Sequence, residues 1–137
     1  MRTRITASLF LVFILALTAH IALAQKDEVA PKYDVTKEVT IKGTIEDVKE
    51  MTMPKGEVGV HLMVKTADSV IEVRLCPSCF LKDFEIQFEK GQAVTITGSK
   101  VSIAEKDVIL AREVVQGNNT LTLRDKQGGP VWTWMKK

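Results

Sequence analysis

"VRLCPSCFLKDFEIQFEKG", residues 73–91, decides the fold. It opens on alternating apolar residues, the end of a strand. It then passes through a C-P-S-C turn into Phe80, Leu81, Phe84 and Phe88, which fit one helical face, while Phe84, Ile86 and Phe88 fit a strand equally well. Pro77 suits the first turn of a helix, where its missing N–H does no harm. The stretch therefore predicts one or two helical turns from about Pro77 to Phe84, then an extended approach to a turn at Gly91.

The flanking sequence is strand on both sides. "VTIKGTIEDV" (39–48) sets Val39, Ile41, Gly43 and Ile45 on one face and Thr40, Lys42, Thr44 and Glu46 on the other, the period of a half-buried strand. Asp47-Val48 breaks the alternation, as a bulge does. Pro54 and Gly56 mark a turn. "VGVHLMVKT" points Val58, Val60, Leu62 and Val64 inward, and "VIEVRL" does the same with Ile71, Val73 and Leu75. After the connector come "QAVTITGSKV", "DVILAREVVQ" and "NNTLTLRD". The prediction is an all-β chain, a small antiparallel OB-fold-like barrel of five to six strands with one short helical connector after strand three. A β-sandwich is the alternative, and the connector argues against it. Gly43 and Gly98, on inward faces, suit the bends where barrel strands coil.

The N-terminus has a separate purpose. Arg2 and Arg4 precede an apolar run from Leu9 to Leu17, which closes on Ala22-Leu23-Ala24. This pattern predicts a secretory signal peptide over residues 1–24, cleaved near Ala24. A membrane anchor is the competing reading, but a span needs about 20 apolar residues. Taking 24 residues from 137 leaves 113, enough for one domain. Two arginines leave with the leader, so 17 basic residues face 17 acidic ones. A near-neutral exported chain argues against nucleic acid as a partner. The expected localisation is periplasmic or secreted, with no transmembrane span after processing. Residues 25–38 read as a flexible leader, 39–126 as the barrel and 127–137 as a tail with two tryptophans.

A resemblance enters here. "GVHLMVKTADSVIEVRL", a Pro-Ser turn, "KGQAVTITGSKV", "ILAREVVQGNNTLTLRD" and "GGPVW" resemble a group of small exported bacterial proteins of OB-fold-like type, some of them near magnetosome-associated proteins. The similarity runs from about Val39 to Trp132. It implies the fold and the compartment and brings no catalytic residues. The departure lies at the turn after strand three, where the group's pattern has Gly and an aromatic flanking Pro-Ser or Pro-Ala and this chain has Cys76 and Cys79.

Those are the only cysteines. In an oxidising compartment they read first as a local disulfide pinning the connector. A redox pair is the second reading, with Cys76 attacking and Cys79 resolving, since a helix N-terminus favours a thiolate. A metal site through Cys76, Cys79 and His61 is the third, short of the four ligands that zinc takes. His61 alternates with inward residues and so is expected to face outward. The expected binding surface comprises His61, Met63, Lys65 and Arg74 on the strands, with Trp132 and Trp134 in the tail. The two central strands carry no aromatic residue for stacking bases. No Ser/His/Asp set, phosphate-cradling glycine loop or H-E-x-x-H occurs. The reading is a non-enzymatic binding or accessory module without a cofactor, whose partner is an exported protein or a small ligand.

Overall fold

The computed structural model describes residues 31–53 and 56–132. The expected signal peptide, Pro54 and Trp134 lie outside them. β1 (Glu38–Thr52) is the longest strand and is followed by β2 (Val58–Lys65), β3 (Val70–Pro77), a short helix α1 (Ser78–Asp83), β4 (Ala93–Ile103), β5 (Lys106–Gln116) and β6 (Asn119–Thr122). The strand order is β3-β2-β1-β4-β5-β6, and β3 also pairs with β5. That pairing is parallel, Glu72 to Arg74 against Val108 to Leu110. It closes five strands into a barrel, with β6 as an extension of β5. The helix falls between β3 and β4, as the connector predicts. This arrangement is the OB-fold-like barrel expected from the sequence.

Period-two patterning fills the interior. Ile45, Leu62, Val64, Val73, Ile96, Ile109, Val114 and Leu123 are all fully buried. Phe80 and Leu81 of α1 join the same core, capping one end. β1 serves both halves of the barrel. Its first part pairs with β4 from Glu38 to Thr44, and its second with β2 from Thr44 to Thr52. The change of partner coincides with a bulge at Glu46, one residue ahead of the break read in the sequence. A bulge bends the strand and tightens its twist, which lets one strand belong to both sides of a closed barrel.

Gly43 and Gly98 stand where strands crowd. A Cβ on Gly43 would run into the Lys65 carbonyl and Val64, and one on Gly98 into the Leu110 carbonyl. Gly98 also sits at the register shift between β4 and β5. The β4–β5 turn uses Ala104 and Glu105, both with positive φ (50° and 66°). A tight hairpin needs that backbone hand, and Gly or Asn supplies it at less strain. For this reason the turn escapes a reading that looks for Gly, Pro or Asn.

The leader read as flexible is in part held. Asp34 donates its backbone N–H to Ser99 Oγ at 3.0 Å, and the Ser99 hydroxyl donates back to the Asp34 carbonyl at 2.8 Å. Glu38 accepts from Tyr33 Oη at 2.8 Å and from Arg112 Nη2 at 2.6 Å. Arg124 lies between the rings of Tyr33 and Trp132, 5.4 and 5.3 Å from their centroids. Trp132 is half-buried and packs on Phe80.

Gly98→Ala is expected to lower stability by at least about 2 kcal/mol, in the range for a backbone collision in a packed core. Gly59→Ala is expected to be nearly neutral, because a Cβ there meets only ordinary contacts at 3.5 Å or more. Urea unfolding of both variants checks the contrast, and equal losses would contradict it.

Candidate functional site

The outer face of β1, β2 and β3 carries the chemistry. Register fixes its rows. Gly59 lies opposite Met51 on one side and Pro77 on the other. His61 lies opposite Lys49 and Arg74, and Met63 opposite Asp47 and Glu72. His61 therefore faces outward on the central strand of three, as alternation predicts. It is nonetheless only 5% exposed. The expectation of a solvated histidine fails: Glu72 of the neighbouring strand stands 3.4 Å from its ring, a contact that period-two reading does not register.

Glu72 holds the middle of this cluster. Its carboxylate is 3.4 Å from His61 Nδ1 and 3.6 Å from Arg74 Nε. The Arg74 contact is an ion pair, the His61 contact becomes one only when the imidazole is protonated, and neither is close or aligned enough for a hydrogen bond. Neither nitrogen has a hydrogen-bond partner among the described residues, although both are buried. Burial pushes the His61 pKa below 6.5, with Glu72 opposing and Arg74 reinforcing that shift. The imidazole is therefore neutral at neutral pH.

Between Val60 and His61 the β2–β3 register shifts, and Leu75 is the extra residue. Its effect is to send both Leu75 and Cys76 into the core, where Cys76 is 6% exposed. Pro77 continues extended at φ −60° and ψ 143°, and α1 then turns the chain. The helix buries Phe80 and Leu81 and leaves Cys79 exposed. Cys76 and Cys79 are thus free thiols, the first buried and the second exposed. The disulfide expected from C-P-S-C is not formed. The bulge aims the first thiol at the core and the helix turns the second to solvent.

Burial, with a smaller contribution from Cys79, pushes the Cys76 pKa up to about 12. Such a thiol is not a ready nucleophile, which works against Cys76 as the attacking member of a redox pair. Nor are Cys76, Cys79 and His61 brought together as metal ligands. Cys76 faces the core and His61 the outer surface, and no group of three His, Cys, Asp or Glu side chains among the described residues could hold a metal ion. Of the remaining expected surface residues, Met63 and Arg74 are half-buried on this face and Lys65 is exposed at the end of β2.

Met51 and Met53 belong to the face as well, and the sequence reading missed them. Met51 falls beyond the expected first strand, in residues read as turn, whereas β1 runs on to Thr52. Both are exposed to a degree unusual for their size.

A closed five-stranded barrel with this outer face defines an OB-fold-like module. The chain belongs to the MamS/MamX magnetosome protein family, whose model matches residues 37–121. Among solved structures it is similar to the N-terminal domain of the PriB protein from Thermoanaerobacter tencongensis, described as dimeric. That likeness has a TM-score of 0.46 and 16% sequence identity, over 61% of this chain and 99% of the other. No curated protein matches. Among the described residues no helix is long and apolar enough to cross a membrane.

Two tests follow from the burial pattern. Iodoacetamide under native conditions is expected to modify Cys79 and to reach Cys76 only in denaturant, read by peptide mass. Equal labelling would sink the assignment. The second concerns pH. Because the folded His61 pKa lies below its unfolded value of 6.5, the unfolded chain binds the extra proton first as pH falls, and stability declines with it. His61→Gln should therefore lose less stability than the parent between about pH 7.5 and about pH 5. Parallel urea titrations measure this, and equal losses would refute it.

Proposed function

We propose that this protein is an exported, non-enzymatic accessory module of magnetosome-type assemblies, and that the outer face of β1–β3 is its binding surface. One observation carries the reading. His61 and Arg74 flank Glu72 on that face, and each holds a buried nitrogen without a hydrogen-bond partner among the described residues. An unpaired buried donor costs about 1–3 kcal/mol and calls for an explanation in a native structure; a ligand or partner that completes the pairing supplies one. Membership of the MamS/MamX magnetosome family supports the setting. The basic start, apolar run and Ala22-Leu23-Ala24 ending support export.

Complementation tests the reading in a magnetosome-forming host whose own copy of this gene is deleted. The parent chain is expected to restore normal magnetosomes, in its processed form and in a fraction outside the cytoplasm. Arg74→Glu should fail to restore them, while Lys106→Glu, at the β4–β5 turn, should succeed. Full-length protein confined to the cytoplasm would sink export. Equal rescue by both variants would sink the outer face as the binding surface.

A further inference from the structure

We propose that Met53 Sδ and His61 Nε2 form a binding site for a soft monovalent cation, copper(I) or silver(I), above Gly59. The inference rests on the outer face being the binding surface and names a ligand class for it.

Gly59 has no side chain, and two side-chain donors and one backbone oxygen surround the space that its Cβ would fill. Met53 Sδ lies 3.5 Å from that point, and His61 Nε2 and the Met51 carbonyl oxygen each lie 3.7 Å from it. A small movement of the thioether, which turns about three bonds, brings both onto one ion. Met51 lies directly opposite Gly59 on β1, and Met63 follows His61 on the same face. Three of the chain's five methionines thus gather on one stretch of surface. Met51 is exposed and is the nearest further thioether in register.

The second observation is the histidine itself. Its ring is buried and its Nδ1 has no hydrogen-bond partner among the described residues, while that nitrogen faces Glu72 Oε1 at 3.4 Å. A metal-bound histidine characteristically gives its other ring N–H to a carboxylate, which fixes the tautomer and leaves the far nitrogen's lone pair for the metal. Here the carboxylate stands on the Nδ1 side and the methionine sulfur on the Nε2 side. Coordination would draw the ring into place and bring the Nδ1–H to Glu72, giving that nitrogen the partner it lacks.

The donor set chooses the ion. Thioether sulfur is a soft, neutral ligand that selects copper(I), while carboxylate and carbonyl oxygens suit calcium, magnesium and manganese. A neutral imidazole with one or two thioethers leaves the ion's single charge in place, with the Glu72 carboxylate across the imidazole ring, on its Nδ1 side. Zinc would require more anionic or nitrogen donors, and among the described residues no such cluster surrounds the point.

The test uses the purified full chain, alkylated with iodoacetamide so that Cys79 cannot bind the probe. Silver(I) as nitrate is titrated in, followed by native mass spectrometry and by the 13C-methyl signals of labelled methionine. Copper(I) affinity is then read anaerobically against a chromophoric copper(I) chelator. One equivalent of silver is expected, with the largest methyl shift at Met53. Met53→Leu should weaken copper(I) binding at least about ten-fold, as loss of a ligand or its support does. Gly59→Ala should do the same by filling the space, without loss of stability. Met53 is 38% exposed, so its replacement leaves the fold intact even if His61→Gln does not. No stoichiometric silver, or affinity unchanged in both Met53→Leu and Gly59→Ala, would overturn the site. Such a result would leave the accessory reading to stand or fall on Arg74→Glu in the complementation assay.

Discussion

The barrel depends on the parallel pairing of β3 with β5. Three residue pairs, Glu72 to Arg74 against Val108 to Leu110, turn an open sheet into a closed one. Without them β3 would be an edge strand, with its outer row of backbone groups unpaired. Closure demands strong coiling elsewhere. The bulge at Glu46, the register shift at Gly98 and the missing Cβ at Gly43 provide it. Each of these is local, and each makes sense only because the sheet must meet itself.

The candidate site inherits its geometry from the same constraint. Pairing on both sides of β3 holds Glu72 and Arg74 in a fixed row beside His61 on β2. The bulge in the β2–β3 ladder separates two kinds of chemistry that C-P-S-C places side by side in the sequence. One thiol enters the core, the other reaches solvent, and the imidazole stays on the outer face. The polar cluster and the methionines are therefore neighbours in space through register. Their sequence spacing alone gives no sign of it.

How much of this was legible in the sequence follows from which forces are local. Strand alternation reports burial directly, so the inward residues of β2 and β3 and the coiling glycines could be read. The helical connector could be read too, because Pro77 and the Phe80-Leu81 pair are local signals, although Phe84, expected on the same face, lies past the helix end and is exposed. The β4–β5 turn could not, since Ala104 and Glu105 adopt positive φ without the residues that usually mark it. His61 was placed on the right face with the wrong burial, because Glu72, which stands against its ring, comes from another strand. The C-P-S-C pair misled for a related reason: proximity in sequence suggests a bridge, while the Leu75 bulge reverses the direction of one thiol.

The order of strands also bears on how the chain reaches its native state. β1, β2 and β3 form one meander and β4, β5 and β6 another, each joined by short connections. What remains is to dock them, and both seams are remote in sequence: Glu38–Thr44 against Ala93–Ser99, and Glu72–Arg74 against Val108–Leu110. Loop-closure entropy must be met before either seam rewards it. Barrels dominated by such non-local pairing fold in milliseconds to seconds, slower than helical bundles of equal size. Until the second seam forms, β3 and β5 are open templates for pairing with another chain. The closing ladder is thus also this protein's kinetic guard against self-association.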